Sequence, residues 1–171
     1  VVRSGTMWQA LGKVQQLRSV KIHDCRALFN TSSQVMSNAF VKLNNLKHLN
    51  LKNVGASGKA LEKMSELTSL FELVVSDKLV GLFPRYLSTL SNLRVLDLST
   101  NSFQGVLPPW LSMLSKLSRL SVHDNRLNGN IPKEISKLSM LTFLDLSMNM
   151  LSGDLPAGMG GLRSLTGLII Q

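Results

Sequence analysis

The chain has a single cysteine, Cys25, among 171 residues. Without a second thiol no disulfide can close within it, and no thiolate metal cluster can be assembled. Aromatic residues supply only 5% of the sequence although 44% is hydrophobic. The apolar content is carried by leucine, a bias that one small design used many times produces. No unbroken apolar run approaches the roughly 20 residues needed to span a bilayer, and the start of the sequence has no basic segment leading into an apolar one. A signal peptide or membrane anchor is therefore expected only in segments outside this sequence. Acidic residues are scarce too, 10 against 19 Lys and Arg, for a net charge of +9. The scarcity is local: residues 1–59 hold nine Lys or Arg against one acid, Asp24, giving +8, and the rest carry +1. Such a block suits either an acidic partner or a solvated face.

The chemistry of catalysis has no foothold. There is no Gly-rich phosphate loop, no nucleophile elbow and no metal-ligand spacing, so no catalytic residue, cofactor or metal is expected. The basic block lacks interleaved aromatics and any known nucleic-acid motif, so no nucleic-acid partner is expected either.

What the sequence does have is a repeat. Segments beginning at Leu93, Leu117 and Leu141 align over 24 residues each: LRVLDLSTNSFQGVLPPWLSMLSK, LSRLSVHDNRLNGNIPKEISKLSM and LTFLDLSMNMLSGDLPAGMGGLRS. Leucine or a close substitute stands at positions 1, 4, 6 and 11, Asn at 9, Gly at 13 and Pro at 16. Leu70 opens a 23-residue unit that keeps Leu73, Val75, Leu79, Gly81 and Pro84; Leu46 opens one of 24 residues without the proline; and Leu17 opens one of 29 residues with Val20, Ile22, Cys25 and Leu28. The reading is one domain over 1–171, with a partial unit 1–16, units 17–45, 46–69, 70–92, 93–116, 117–140 and 141–164, and a partial unit 165–171. Neither end carries a polar capping unit, so a longer polypeptide is expected.

Physical reasoning turns this pattern into a fold. In Leu-x-x-Leu-x-Leu, apolar positions 4 and 6 alternate with polar 3, 5 and 7, the period of a strand buried on one face. Units repeating in one direction stack these strands in parallel about 4.8 Å apart, and the remaining residues return over the far side as irregular or short helical structure. Asn101, Asn125 and Asn149 follow the strand, where an Asn side chain can bond backbone groups that the turn leaves unpaired; Cys25 holds the same position and reads as a structural thiol. Gly and Pro in GLFP, GVLP, GNIP and GDLP shape the return.

The pattern Leu-x-x-Leu-x-Leu-x-x-Asn-x-Leu-x-Gly-x-Ile/Leu-Pro resembles the plant-type leucine-rich repeat of receptor-like kinases and receptor-like proteins, and is similar to that of polygalacturonase-inhibiting proteins. The match is specific over residues 70–164 and looser over 17–69. The resemblance implies an α/β leucine-rich-repeat solenoid, a horseshoe with a parallel sheet on its concave face. It also implies recognition of a peptide or protein at the cell surface in signalling or defence. A secreted enzyme inhibitor and an intracellular immune-receptor or scaffold repeat are the alternatives. The cysteine pairs that flank the caps of secreted members are missing here. One glycosylation sequon, Asn30-Thr31-Ser32, falls in the long first unit, where an exposed loop is expected.

The alignment names the concave side chains. They are Ser19, Lys21 and His23; His48, Asn50 and Lys52; Glu72, Val74 and Ser76; Val95, Asp97 and Ser99; Arg119, Ser121 and His123; Phe143, Asp145 and Ser147; and Gly167, Ile169 and Gln171. Lys21, His23, His48 and Lys52, with Arg18 and Lys47 at the rim, form a cationic cluster suited to an acidic protein or peptide ligand. Val95, Phe143 and Ile169 are apolar side chains of the kind that anchor peptides. Asn50, Glu72, Arg119 and His123 complete the candidate ligand set. All three histidines lie on this face, but His23 and His123 are four strands apart, about 19 Å, too far to share a metal ion. Oligomeric state has no signature in the sequence.

Overall fold

The computed structural model describes residues 4–25, 33–55 and 61–170. Asn30, the candidate glycosylation site, lies outside them. The short Leu-x-x-Leu-x-Leu runs form strands: β1 (Ser19–His23), β2 (His48–Lys52), β3 (Glu72–Ser76), β5 (Val95–Asp97), β7 (Arg119–Ser121), β9 (Phe143–Asp145) and β11 (Gly167–Ile169). All pair in parallel, in chain order, as one seven-stranded sheet. The register advances from unit to unit without slip: Ser19 stands opposite His48, His48 opposite Glu72, Glu72 opposite Val95, Val95 opposite Arg119, Arg119 opposite Phe143, and Phe143 opposite Gly167.

The return path on the convex side is helical but short. Two α-helices, α1 (Ser4–Leu11) and α2 (Ser33–Lys42), occupy it at the amino-terminal end, where no proline interrupts. Later units carry five-residue 3-10 turns at Glu62–Glu66, Arg85–Thr89, Pro109–Met113, Lys133–Lys137 and Ala157–Gly161. Four of these follow a proline held in extended conformation, from Pro84 to Pro156. The fixed φ of proline and its missing N–H suit the first turn of a helix and no more.

The sequence pattern predicts a return through irregular or short helical structure. The structure adds a second sheet, built from β4 (Val80–Leu82), β6 (Ser102–Val106), β8 (Arg126–Asn130) and β10 (Met150–Ser152), four parallel strands along one flank. Gly105 stands opposite Leu127 and Val106 opposite Asn128, so this sheet slips two residues per unit relative to the repeat. Its glycines Gly81, Gly105 and Gly129, and Gly153 just after β10, all have positive φ. A side chain at Gly129 would place Cβ 3.2 Å from Val106 Cγ1, so glycine there serves both the backbone angle and the approach of the neighbouring strand.

The core is one column of leucine running through all the units. In the unit from Leu93 it takes Leu93, Leu96, Leu98, Phe103, Leu107, Leu111 and Leu114, all buried. Each such leucine contributes roughly 1.5 to 3 kcal/mol, but only where neighbouring units cover both of its sides. Leu144 is 0% exposed between β7 and β11, whereas Leu168, in the last strand, is 40% exposed. At the amino-terminal end, Trp8 of α1 meets Phe40 of α2 edge to face at 5.4 Å and takes the place of the leucine ladder. No described helix is long and apolar enough to cross a membrane.

Asparagine stitches the units together. Asn101 Nδ2 donates to Leu98 O of its own unit at 2.9 Å and to Val75 O of the preceding unit at 2.8 Å, while its Oδ1 accepts the N–H of Leu79 at 2.9 Å. Asn125 repeats the arrangement with Val122 O, Leu98 O and the N–H of Phe103, and Asn149 with Leu146 O, Val122 O and the N–H of Leu127. Each side chain closes the end of a concave strand and opens the flanking strand of the unit before it. Cys25, read from the sequence as a structural thiol at the same position, is exposed.

Candidate ligand-binding face

Because the concave sheet keeps its register, positions 3, 5 and 7 of successive units form three rows across the strands. The first runs Ser19, His48, Glu72, Val95, Arg119, Phe143, Gly167, and the second Lys21, Asn50, Val74, Asp97, Ser121, Asp145, Ile169. The third starts with His23, Lys52 and Ser76. Lys21, His23 and Lys52 are exposed, and Asn50 is half-buried. The structure therefore brings Lys21, His23, Asn50 and Lys52 together on two adjacent strands.

Several candidates are already engaged with a neighbour. His48 Nδ1 lies 2.9 Å from Glu72 Oε2, the one contact within ion-pair distance among the described residues, and His23 Nε2 lies 2.9 Å from Asn50 Oδ1. His123 Nδ1 lies 2.9 Å from Ser147 Oγ, and that hydroxyl also donates to Asp145 Oδ1. Ser147, expected to be exposed, is buried between these two partners. Asp97 plays the same part for Ser99, whose hydroxyl meets that of Ser121 at 2.9 Å. Asp97 and Asp145 thus brace the sheet surface.

The apolar candidates also differ from expectation. Val74, read as exposed, is only 6% exposed, in register between Asn50 and Asp97. Phe143 is half-buried rather than standing free. The Arg119 guanidinium lies over its ring at 4.3 Å, and on the other side the ring fills the space above Gly167, where a Cβ would come within 2.6 Å of Phe143 Cδ2. Val95 is half-buried and Ile169 is exposed.

Arg18 and Lys47, read from the sequence as rim residues, prove to belong to a longer row whose other members the sequence reading did not single out. Position 2, at the amino-terminal rim of each strand, carries Arg18, Lys47, Phe71, Arg94, Ser118, Thr142 and Thr166. The backbone joins them in a ladder: Lys47 N donates to Arg18 O, Phe71 N to Lys47 O, and Arg94 N to Phe71 O, each at 2.8 Å. Lys47 Nζ lies 4.7 Å and Arg94 Cζ 5.1 Å from the centroid of the Phe71 ring. The signal was a repeated basic or aromatic residue just after the first leucine, outside the alternation that defines the strand. Among the described residues there is no cluster of His, Cys, Asp and Glu able to hold a metal ion.

Comparison with known proteins agrees with this architecture. Leucine-rich-repeat models match residues 73–127 and 140–162. No curated protein matches the chain. Among solved structures, the ectodomain of the Arabidopsis receptor kinase HAESA, in complex with a peptide hormone, is similar at 26% identity over 76% of this chain and 23% of that one, with a TM-score of 0.67. The PEPR1–AtPEP1 structure is similar at 33% identity over 76% of this chain and 18% of that one, also with a TM-score of 0.67. A plant ice-binding protein matches at 26% identity over 94% of this chain and 58% of that one, with a TM-score of 0.69. The chain spans about a quarter or less of the two receptor chains. The ice-binding match shows that this architecture alone does not name a ligand. In its repeat pattern, its parallel sheets and its similarities, the chain has the leucine-rich-repeat fold and is similar to the ectodomains of plant receptor kinases.

Proposed function

We propose that the chain recognises a protein or peptide ligand on its concave face, as part of a plant receptor-like protein acting in signalling or defence at the cell surface. The observation that carries this reading is the unbroken register of the concave sheet. It sets side chains of seven units into continuous rows across the strands, so an extended ligand lying along the solenoid meets a new side chain about every 4.8 Å. The peptide complexes of the similar receptor ectodomains support the ligand class. Lys21, His23, Asn50 and Lys52 supply the polar end of the surface, and Arg119, Phe143 and Val95 the mixed end. An acidic ligand suits the polar end, where β1 and β2 present cations and no carboxylate and Asp24 directly follows β1.

The test is to pan a displayed random-peptide library against the protein and compare the selected peptides on the wild type and on the triple variant Lys21→Glu, His48→Glu, Lys52→Glu. The expected outcome is a loss of about tenfold or more in affinity, with unchanged circular dichroism and melting. Selected peptides that bind both proteins equally would place recognition elsewhere.

A further inference from the structure

Resting on the concave-face reading, we infer that the rim of that face holds a clamp for an acidic peptide, formed by Lys47 and Arg94 held apart by Phe71, and that it takes a pair of carboxylates three residues apart in polyproline II conformation. The three residues stand on consecutive units, and the ladder between Lys47, Phe71 and Arg94 fixes their backbones one strand step apart. The two cations approach the Phe71 ring from the strands on either side, at 4.7 and 5.1 Å from its centroid. Neither forms an ion pair with a described residue; the single contact within ion-pair distance among these residues is His48 with Glu72.

That combination has a chemical meaning. A cation resting against an aromatic ring keeps its full charge and its outward N–H donors, so it is oriented without being neutralised. The ordering cost of two long side chains is then partly met before a ligand arrives. Two strand steps set the backbones of Lys47 and Arg94 about 9.6 Å apart, and contacts of 4.7 and 5.1 Å to the Phe71 centroid allow cations on opposite faces of the ring to keep that spacing. A polyproline II helix rises about 3.1 Å per residue with three residues per turn, so side chains three apart lie on one face about 9.3 Å from each other. The spacings agree. An extended β-strand does not fit as well, since residues three apart there point to opposite faces. The same row carries one more cation, Arg18, on the far side of Lys47, and becomes uncharged at Ser118, Thr142 and Thr166. A polyanion would require charge along its whole length, so a discrete pair of carboxylates on a peptide is the better match.

The experiment measures fluorescence anisotropy of labelled proline-rich peptides that differ only in acid placement. One has a Glu-Pro-Pro-Glu core, a second Gln-Pro-Pro-Gln, and a third two adjacent glutamates with the same net charge. The first is expected to bind at least about tenfold more tightly than the others. Phe71→Leu, which changes no charge, should erase that preference, and Phe71→Tyr, which keeps a ring, should retain it; melting curves establish that both variants fold. Equal binding of the adjacent-glutamate peptide, an unchanged preference in Phe71→Leu, or no saturable binding would each overturn the clamp. So would a Phe71-dependent preference for an oligogalacturonate over the Glu-Pro-Pro-Glu peptide, which would assign the site to an acidic polysaccharide. Panned peptides that lose affinity in the Lys21, His48, Lys52 variant but not in Phe71→Leu would overturn the clamp and leave the concave-face reading standing.

Discussion

Thr100 has φ 57 in the turn that leaves a concave strand, a conformation that also recurs at Asp24, Asn53, Asp124 and Met148. Asn and Asp tolerate this left-handed region; a β-branched side chain there is strained. Thr100→Asn is therefore expected to stabilise the fold by about 1 kcal/mol, seen as a rise in melting temperature of roughly 2 to 4 °C. The opposite is expected at Asn125. Its amide satisfies backbone groups of two units, and Asn125→Ala leaves buried donors and acceptors unpaired at about 1 to 3 kcal/mol each. Urea denaturation would measure this, and a loss below about 1 kcal/mol would mean that water takes over those bonds. Tyr86 gives a pH dependence. Burial, and secondarily the charge of Glu62, push its phenol well above the usual tyrosine range. With the folded value raised, its contribution is intact below about pH 10, where the unfolded chain still holds the proton, and is lost as pH rises beyond that. Melting temperature should fall above pH 10 more steeply in the wild type than in Tyr86→Phe.

At the scale of elements, the two sheets make different demands. Leu96 is 0% exposed in the middle of the concave sheet, with strands on both sides. Leu96→Asp is expected to unfold the array rather than dent it, because a charge among leucines has no partner and each unit relies on its neighbours; a native melting profile would show the strand register to be wrong. Gly129→Val should cost about 1 to 3 kcal/mol through its positive φ and the nearby Val106, read from the same urea curves. The concave strands were legible because leucine alternates in them. The flanking strands were not: Ser102–Val106 buries Phe103 alone, and Gly105 breaks any alternation. They exist through lateral pairing, which a single unit does not encode. In the same way, the repeat identified which side chains line the concave face but not which are occupied. The contacts of Phe143 with Arg119, of His48 with Glu72 and of Ser147 with His123 each cross 24 residues and depend on side-chain direction rather than pattern.

For the molecule as a whole, the units differ in length while the concave sheet does not register the difference. The unit from Leu70 is one residue short, yet β3 pairs with β5 in the same frame that β5 keeps with β7, and β4 still joins β6. The longer spacing between β1 and β2 leaves Ser19 to His23 aligned with His48 to Lys52 residue for residue. Length changes are absorbed between the strands. The surface therefore behaves as a ruler with marks about 4.8 Å apart, whose spacing is independent of how much chain separates one mark from the next. Duplication or loss of a whole unit would shift ligand contacts by one mark, and insertions in the connecting segments would leave the scale untouched.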